Sequence, residues 1–548
     1  MTFGGVRPWL ARGGFAALLG FAAYWSRAQA PATLSVEILD GPAMVSVTSL
    51  EDHKWRVPPD GSVVPPYTRV RDFYEPKPWK PGQIGWVRLT TAEPFDAQGR
   101  SPTYEGLISY PYWKEPVSYF VSEPFSIALP AGKWRLAVAR GIEYEPDYVD
   151  VNLSAGQTVK RSVRLRRWVN MPQHGWYSGD THVHMPRTTE WESEFLLTWA
   201  RAEDVHVTSI LSFGDLKGTY FDQEGYGKQH RYQKGDYVLA SGQEDPRTGI
   251  PEQGHTLALN ITSTVRDVSR YHLYDYMFDE AHKQPGAVVG YAHIAWADEY
   301  HRKQDPTRHP TWDPVINAIR GKADFFEILQ FRHLGLEDLY DFLNLGVRLT
   351  ATAGSDMPWG STIGEVRTYA YTGPDFSADR WYAAVKDGHT FVTNGPMVEL
   401  TVGDVIPGDE IKLAGPGKLR VHARGWAPES IGAPKVVEVV ANGQVIRSGG
   451  GLLDFDWEVT RSQWLAARVT SVNGAVAHTS PVYVVVGGSK VRSENAAAIA
   501  EKRMQELEFI EGRLKDPKYV KEYGPGEADA LRERIVLARR IYEKLKGN

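Results

Sequence analysis

The hydrophobic period of this 548-residue chain changes three times, and those changes constrain its fold more than any other feature. From residue 31 to about 168, apolar and polar positions alternate in short runs such as WRLAVARG and TVKRSVRLRRW, broken by Gly and Pro. A period of two sends successive side chains to opposite faces of a strand, so residues 31–168 are predicted to form a β-sandwich-like domain. From 169 to 397 apolar runs (VHVTSIL, GAVVGYAH, ADFFEILQ, VRLTATAG) alternate with helical stretches such as EWESEFLLTWARAED and LEDLYDFLNLG. Strand, helix, strand repetition implies parallel βα units, hence an α/β barrel or open sheet. Residues 398–488 return to short alternating strands (KVVEVVANGQVI, WLAARVTSVNG, SPVYVVVGG) and predict a second sandwich. In the tail, 489–548, Ala500, Met504, Leu507, Ile510 and Leu514 fall at three-and-four spacing, as do Leu531, Ile535, Ala538, Ile541 and Leu545 beyond YGPG. A hairpin of two amphipathic helices is expected, its stripes packed on each other, on the sandwich, or on a second copy.

The first 30 residues read differently. Arg7 and Arg12 precede the apolar run FAALLGFAAYW, and Ala28-Gln29-Ala30 has the small-x-small pattern of a signal-peptidase site. The expectation is an exported chain, periplasmic or secreted, cleaved near Ala30. The alternative is an uncleaved anchor, for which a run of roughly 11 residues is short of the roughly 20 that span a bilayer. No later segment is long and apolar enough to cross. Cleavage would remove three arginines and no acid, taking the formal charge from −5 to −8, which disfavours nucleic acid as a partner. The chain has no cysteine, so disulfides, thiolate metal sites and a cysteine nucleophile are excluded. Any metal must be held by His, Asp and Glu.

In α/β folds the chemistry sits at the C-terminal ends of strands, and there His182, His184, Glu244, His293 and Asp356 follow or end an apolar run. On a strand, residues i and i+2 share a face, so His182 and His184 of YSGDTHVH can aim two imidazoles at one ion. Among 16 histidines such a pair also arises by chance. Each further candidate has a plainer reading too: Glu244 as a solvated loop acid, His255 as a core histidine, His293 as a strand-end histidine bonded to backbone, Asp356 as a turn residue.

The order of these pieces resembles the PHP (polymerase and histidinol phosphatase) domain, and more closely the CehA/McbA-like metallohydrolases. The resemblance runs through GWYSGDTHVH, SGQE, GHTLALNI, YAHIAW, DFFEILQ, AGSDMPWG and DGHTFVTNGPMVEL, and covers roughly 230 residues. It implies a distorted (β/α)7 barrel flanked by the two β domains and the helical hairpin. It also implies two divalent ions, zinc, manganese or iron. His182, His184, Glu244 and Asp356 would hold the first; Glu244, shared, with His255 and His293 would hold the second. Glu327 and Asp180 are candidates for orienting the ligand imidazoles. Three departures fall together: Ser212-Phe213 stands where the family has Asp-His, MPRTTEWES offers no further histidine, and Pro358 ends the family's SDxH. All three remove ligands of a third metal and spare the first two.

Two ions sharing a carboxylate lower the pKa of a water between them and polarise a substrate oxygen, so hydrolysis is the implied chemistry. The substrate, a small molecule, is a phosphoester or a carboxylic or carbamate ester; loss of the third metal weakens the phosphoester case, and the sequence leaves the two unranked. Catalytic roles fall to Glu244, Asp356 and a general acid drawn from His206, Asp215, His301 and His333. His301 is preferred because its loop, ADEYHRKQD, follows the His293 strand, whereas His206 lies inside a strand-like run and reads as structural. Arg332 and Trp359, beside matched motifs, serve either substrate contact or packing. The rival reading is a non-catalytic envelope or carbohydrate-binding protein, its 18 tryptophans stacking on sugars and its metal structural. Oligomeric state is left open.

Overall fold

The computed structural model describes residues 30–53, 62–64, 85–87, 118–247, 253–296, 311–331, 333–359 and 362–547. The expected export signal, His301 and Arg332 lie outside the described residues. The chain is mixed α/β and rich in strands. In the N-terminal unit, Ala32–Ile38 pairs with Phe125–Leu129 and Thr158–Val163. A second sheet carries Ala43–Ser49 between Ser118–Val121 and Gly132–Ala139. Leu34, Val36 and Ile127 from the first sheet share a core with Val45, Leu136 and Val138 from the second, as alternation demands.

The central unit begins with β1 (Trp176–Val183), followed by helix α1 (Glu190–Ala202), which a Thr189/Glu192 capping box starts. Strand β1 pairs in parallel with β2 (Val207–Asp215), and β2 with β3 (Tyr237–Arg247). Strand β4 (His255–Leu259) is antiparallel to both β3 and β5 (Val288–Ala292), the latter reached through α2 (Tyr274–His282). The link from Arg247 to His255 is far shorter than the dozen or so residues that a parallel crossover needs, so β4 must return antiparallel. Strands β5, β6 (Phe325–Gln330) and β7 (Thr350–Ala353) are parallel, with α3 (Glu337–Asn344) between the last two. Beyond β7, Met357 bridges Val183 in parallel, and Thr181 Oγ1 donates to the Ala353 carbonyl at 3.1 Å. The seventh strand thus comes back beside the first.

Strand β8 (Arg367–Tyr371) runs antiparallel along the start of β1, and after α4 (Ala378–Asp387) strand β9 (Thr390–Thr393) pairs with both β8 and Val476–Thr479. The central sheet is therefore continuous with the C-terminal sandwich, and the change of period near 398 falls inside strand Met397–Val402. Phe120 of the N-terminal unit meets Phe195 of α1 at 5.0 Å between ring centroids, joining the first two units.

The tail forms α5 (Ala496–Arg513) and α6 (Glu527–Lys546). Their stripes pack on each other, but the rest of the partnership is with the central unit rather than the sandwich alone. Buried Arg503 pairs with Asp338 and Asp341 of α3, Glu527 pairs with His272, and the Tyr542 hydroxyl donates to the Val315 carbonyl. Among the described residues no helix is long and apolar enough to cross a membrane.

Candidate metal centre

The end of β1, the end of β3, the start of β4 and the residues that follow β5 and β7 meet at one end of the central unit. His182 is on β1 and His184 immediately follows its end, and their Nε2 atoms lie 3.0 Å from each other. Glu244 Oε2 is 3.0 Å from His184 Nε2 and 3.6 Å from His182 Nε2. Asp356 Oδ1 is 3.4 Å from His182 Nε2 and 3.6 Å from His184 Nε2. For ligands about 2.1 Å from a tetrahedral ion, the edge between donors is about 3.4 Å. These spacings bracket that value. The other oxygen of Glu244 faces away, 2.7 Å from His255 Nδ1 and 3.2 Å from His293 Nε2. The structure thus brings all six expected ligands into one cluster, and groups within it could hold a metal ion.

Three of the four imidazoles are held from behind. His182 Nδ1 donates to Glu327 at 3.2 Å, His184 Nδ1 to the Leu211 carbonyl at 3.2 Å, and His293 Nδ1 to Gln330 Oε1 at 2.8 Å. That fixes the tautomer and leaves Nε2 of all three directed at the cluster. Asp180 accepts from the N–H groups of His182, Ser355 and Gly364, tying β1 to the loop that carries Asp356. Two ligands occupy the left-handed region, His293 at φ 63° and Asp356 at φ 53°. Non-glycine residues persist there when the surroundings over-determine them, as ligand sites do.

The electrostatics suit a cation. Glu244, Glu327 and Asp356 are buried together, and among the described residues their ionic partners are histidines. Burial pushes the His182 imidazole down, but Glu327, Asp356 and Glu244 outweigh it and hold it well above the ordinary histidine range. Burial likewise pushes Glu244 up, and His255 and His182 bring it well below the usual carboxylate range. Burial holds His255 down, at about 4, so this ligand stays neutral and able to coordinate. The side chains of His255 and His293 are 28% and 15% exposed, those of His182 and His184 not at all, so the cluster opens to solvent on the His255 side.

Around His184 the site is walled by rings: Phe213 at 5.2 Å, Phe221 at 5.5 Å and Trp359 at 5.5 Å between centroids. Phe213 and Pro358, two of the positions singled out in the sequence, both border this wall; Pro358 lies between Met357, whose carbonyl accepts from the His184 N–H at 2.7 Å, and Trp359. Phe221, Gln330 and the Leu211 carbonyl were not anticipated; nothing local marks them, although Gln330 closes the DFFEILQ run. Of the acid candidates, His206 is buried at the opposite end of β2, bonded to Ser178 and stacked on Tyr237. Asp215 caps the turn at Lys217 and Gly218. His333 pairs with Gln330 through its backbone.

No family model and no curated protein matches the chain. Among solved structures, PsfC from Pseudomonas syringae PB-5123 aligns over 39% of this chain and 90% of its own, at 13% identity and TM-score 0.25. The fibronectin(III)-like modules of Clostridium thermocellum CbhA align over 18% and 96%, at 19% identity and TM-score 0.12. An engineered protein, target OR128, aligns over 56% and 48%, at 11% identity and TM-score 0.14. Similarities this low carry no argument about fold or activity.

Proposed function

We propose that this chain is a metal-dependent hydrolase of the PHP type, acting on a phosphoester or a carboxylic or carbamate ester through two divalent ions, zinc, manganese or iron. One observation carries the reading: Glu244 divides its two oxygens between His184 and His182 on one side and His255 and His293 on the other. A carboxylate split in this way is the element that two-ion sites share. The strand order, with β7 returning beside β1 through the Val183–Met357 bridge, supports a distorted seven-stranded barrel. When bound, such a pair of ions lowers the pKa of a water and polarises the substrate's oxygen.

The chain's own residues divide the remaining work. His182, His184, Glu244 and Asp356 would hold the first ion and Glu244, His255 and His293 the second, while Glu327 and Gln330 fix the rings. The Phe213, Phe221 and Trp359 wall excludes water beside His184, which strengthens the field of the charged groups within. A purely structural metal draws support from the four donors of the first group, since structural sites are closed by protein ligands. The second group has three donors and faces solvent, which favours catalysis. Metal analysis of the purified protein, coupled to a panel of p-nitrophenyl phosphates, esters and carbamates, tests the reading. Metal-dependent turnover is expected; a metal-replete protein that cleaves none of them would leave the structural reading in its place.

A further inference from the structure

We propose that Arg247 grips the anionic oxygens of the substrate, and that the substrate is a phosphomonoester; this rests on the hydrolase reading above. Arg247 ends β3, three residues after Glu244, and pairs in register with His255. Its Cζ lies 3.9 Å over the ring of Phe213, and that ring is 5.2 Å from His184. The guanidinium is therefore separated from His184 by the Phe213 ring alone, and its residue stands opposite His255 in the strand pair.

Stacking occupies the face of the guanidinium and leaves its in-plane N–H fork available. Among the described residues no carboxylate pairs with Arg247, and its buried Nε has no acceptor. Buried donors without partners are rare and call for a ligand or water. The neighbouring cation Arg266 is already taken, by Asp245 at 2.5 Å. The base of Arg247 is fixed as well: the Tyr271 hydroxyl accepts from its N–H at 2.8 Å and lies 2.8 Å from its carbonyl.

A phosphoryl dianion has enough oxygens to face the donor clusters and the fork together, and guanidinium binds phosphate bidentately. A neutral acyl ester would leave a partly desolvated cation uncompensated. Arg247 thus supplies a fixed positive charge beside the donor clusters, where a phosphoryl group would carry its negative charge.

The test is binding of inorganic phosphate to the zinc-loaded full-length chain by calorimetry, with metal content measured alongside. Arg247→Gln should weaken phosphate by about ten- to a hundredfold while keeping its metal, and Arg247→Lys, which keeps the charge and loses the fork, should fall between. Phosphate should also protect Arg247 of the wild type from phenylglyoxal, read by mass spectrometry, a measurement that needs no variant to fold. Equal affinity in wild type and metal-replete Arg247→Gln, absence of phosphate binding by the wild type, or failure of protection overturns the proposal. Arg247-dependent phosphate binding in a chain that hydrolyses no ester would sink the hydrolase reading and leave the anion site standing. Ester hydrolysis with phosphate binding independent of Arg247 would do the reverse.

Discussion

Glu327 brings both carboxylate oxygens to 3.2 Å from Nδ1 of His182, and neither residue is exposed. The same carboxylate accepts from the backbone N–H of His293 at 3.1 Å, so one side chain behind the cluster orients a ligand of each group. Replacing such a partner costs about ten- to a hundredfold in metal affinity in comparable sites. Glu327→Gln is expected to lose zinc affinity within that range in a chelator competition while the fold, read by circular dichroism, is retained. Gly354→Ala offers an independent route to the same end, because its added Cβ would sit 2.2 Å from Glu327 Oε1 and 2.4 Å from the His182 Cβ. If Glu327→Gln binds zinc as tightly as the wild type, the supporting role assigned to Glu327 is wrong.

A second expectation concerns pH and lies well away from the metal. His478 is fully buried, its Nδ1 donating to the Thr479 carbonyl at 2.7 Å and its Nε2 accepting from the Tyr340 hydroxyl at 2.8 Å. Burial pushes its pKa down to about 3. The unfolded chain takes up this proton near pH 6.5 and the folded chain does not, so the stabilisation is complete above pH 7 and is lost as pH falls toward 3. His478→Gln should be most destabilising at pH 7, and the gap to wild type should shrink by about 3 kcal/mol by pH 4. Denaturant unfolding of both proteins at the two pH values measures it; a gap that stays constant contradicts the burial argument.

Some of this architecture was legible in the residues and some was not, for identifiable reasons. The His182 and His184 pair is local, because a strand's period of two aligns it whatever the fold. Glu244, His293 and Asp356 stood at the ends of apolar runs, so their convergence followed once those runs became adjacent strands, whereas His255 begins its run and was singled out only by the resemblance. The reversal of β4 was missed, because strand and helix alternation suggested parallel pairing throughout; the short link before His255 is what forces the antiparallel return. By contrast, the pairing of β9 with Val476–Thr479 joins segments over 80 residues apart, and a period-two pattern does not specify its partner. The docking of the helical hairpin was hidden because Arg503, in the middle of the α5 stripe, reads as a surface residue until Asp338 and Asp341 are placed opposite it.

That buried arginine makes a third test. Arg503 is 1% exposed and lies 2.5 Å from Asp338, 2.8 Å from Asp341 and 2.9 Å from Glu506. Removing one partner of a buried ionic cluster strands the others, and costs about 3 to 5 kcal/mol. Arg503→Ala should therefore loosen α5 and α6 from the central unit and expose residues 496–546 to limited proteolysis before the rest of the chain. Unchanged protease resistance together with unchanged unfolding would show that the hairpin is held by its apolar stripe alone.

The most discriminating experiment on the centre compares Glu244 with His255. Glu244 faces both donor groups, whereas His255 faces only the side it shares with His293. Without Glu244 the first group keeps His182, His184 and Asp356 and the second keeps only His255 and His293, so both positions are weakened and the second falls below three protein donors. Without His255 the first group is intact. Metal analysis after loading and desalting should therefore find about two ions per chain in the wild type, fewer than one in Glu244→Ala, and about one in His255→Ala. A carboxylate-to-amide exchange at Glu244 separates lost ligation from lost packing, since Gln fills the same space yet ligates poorly; Glu244→Gln should behave as Glu244→Ala does. Three ions in the wild type would contradict the proposed two-ion centre. Equal loss of metal in Glu244→Ala and His255→Ala, with both variants folded, would mean that Glu244 does not bridge two sites.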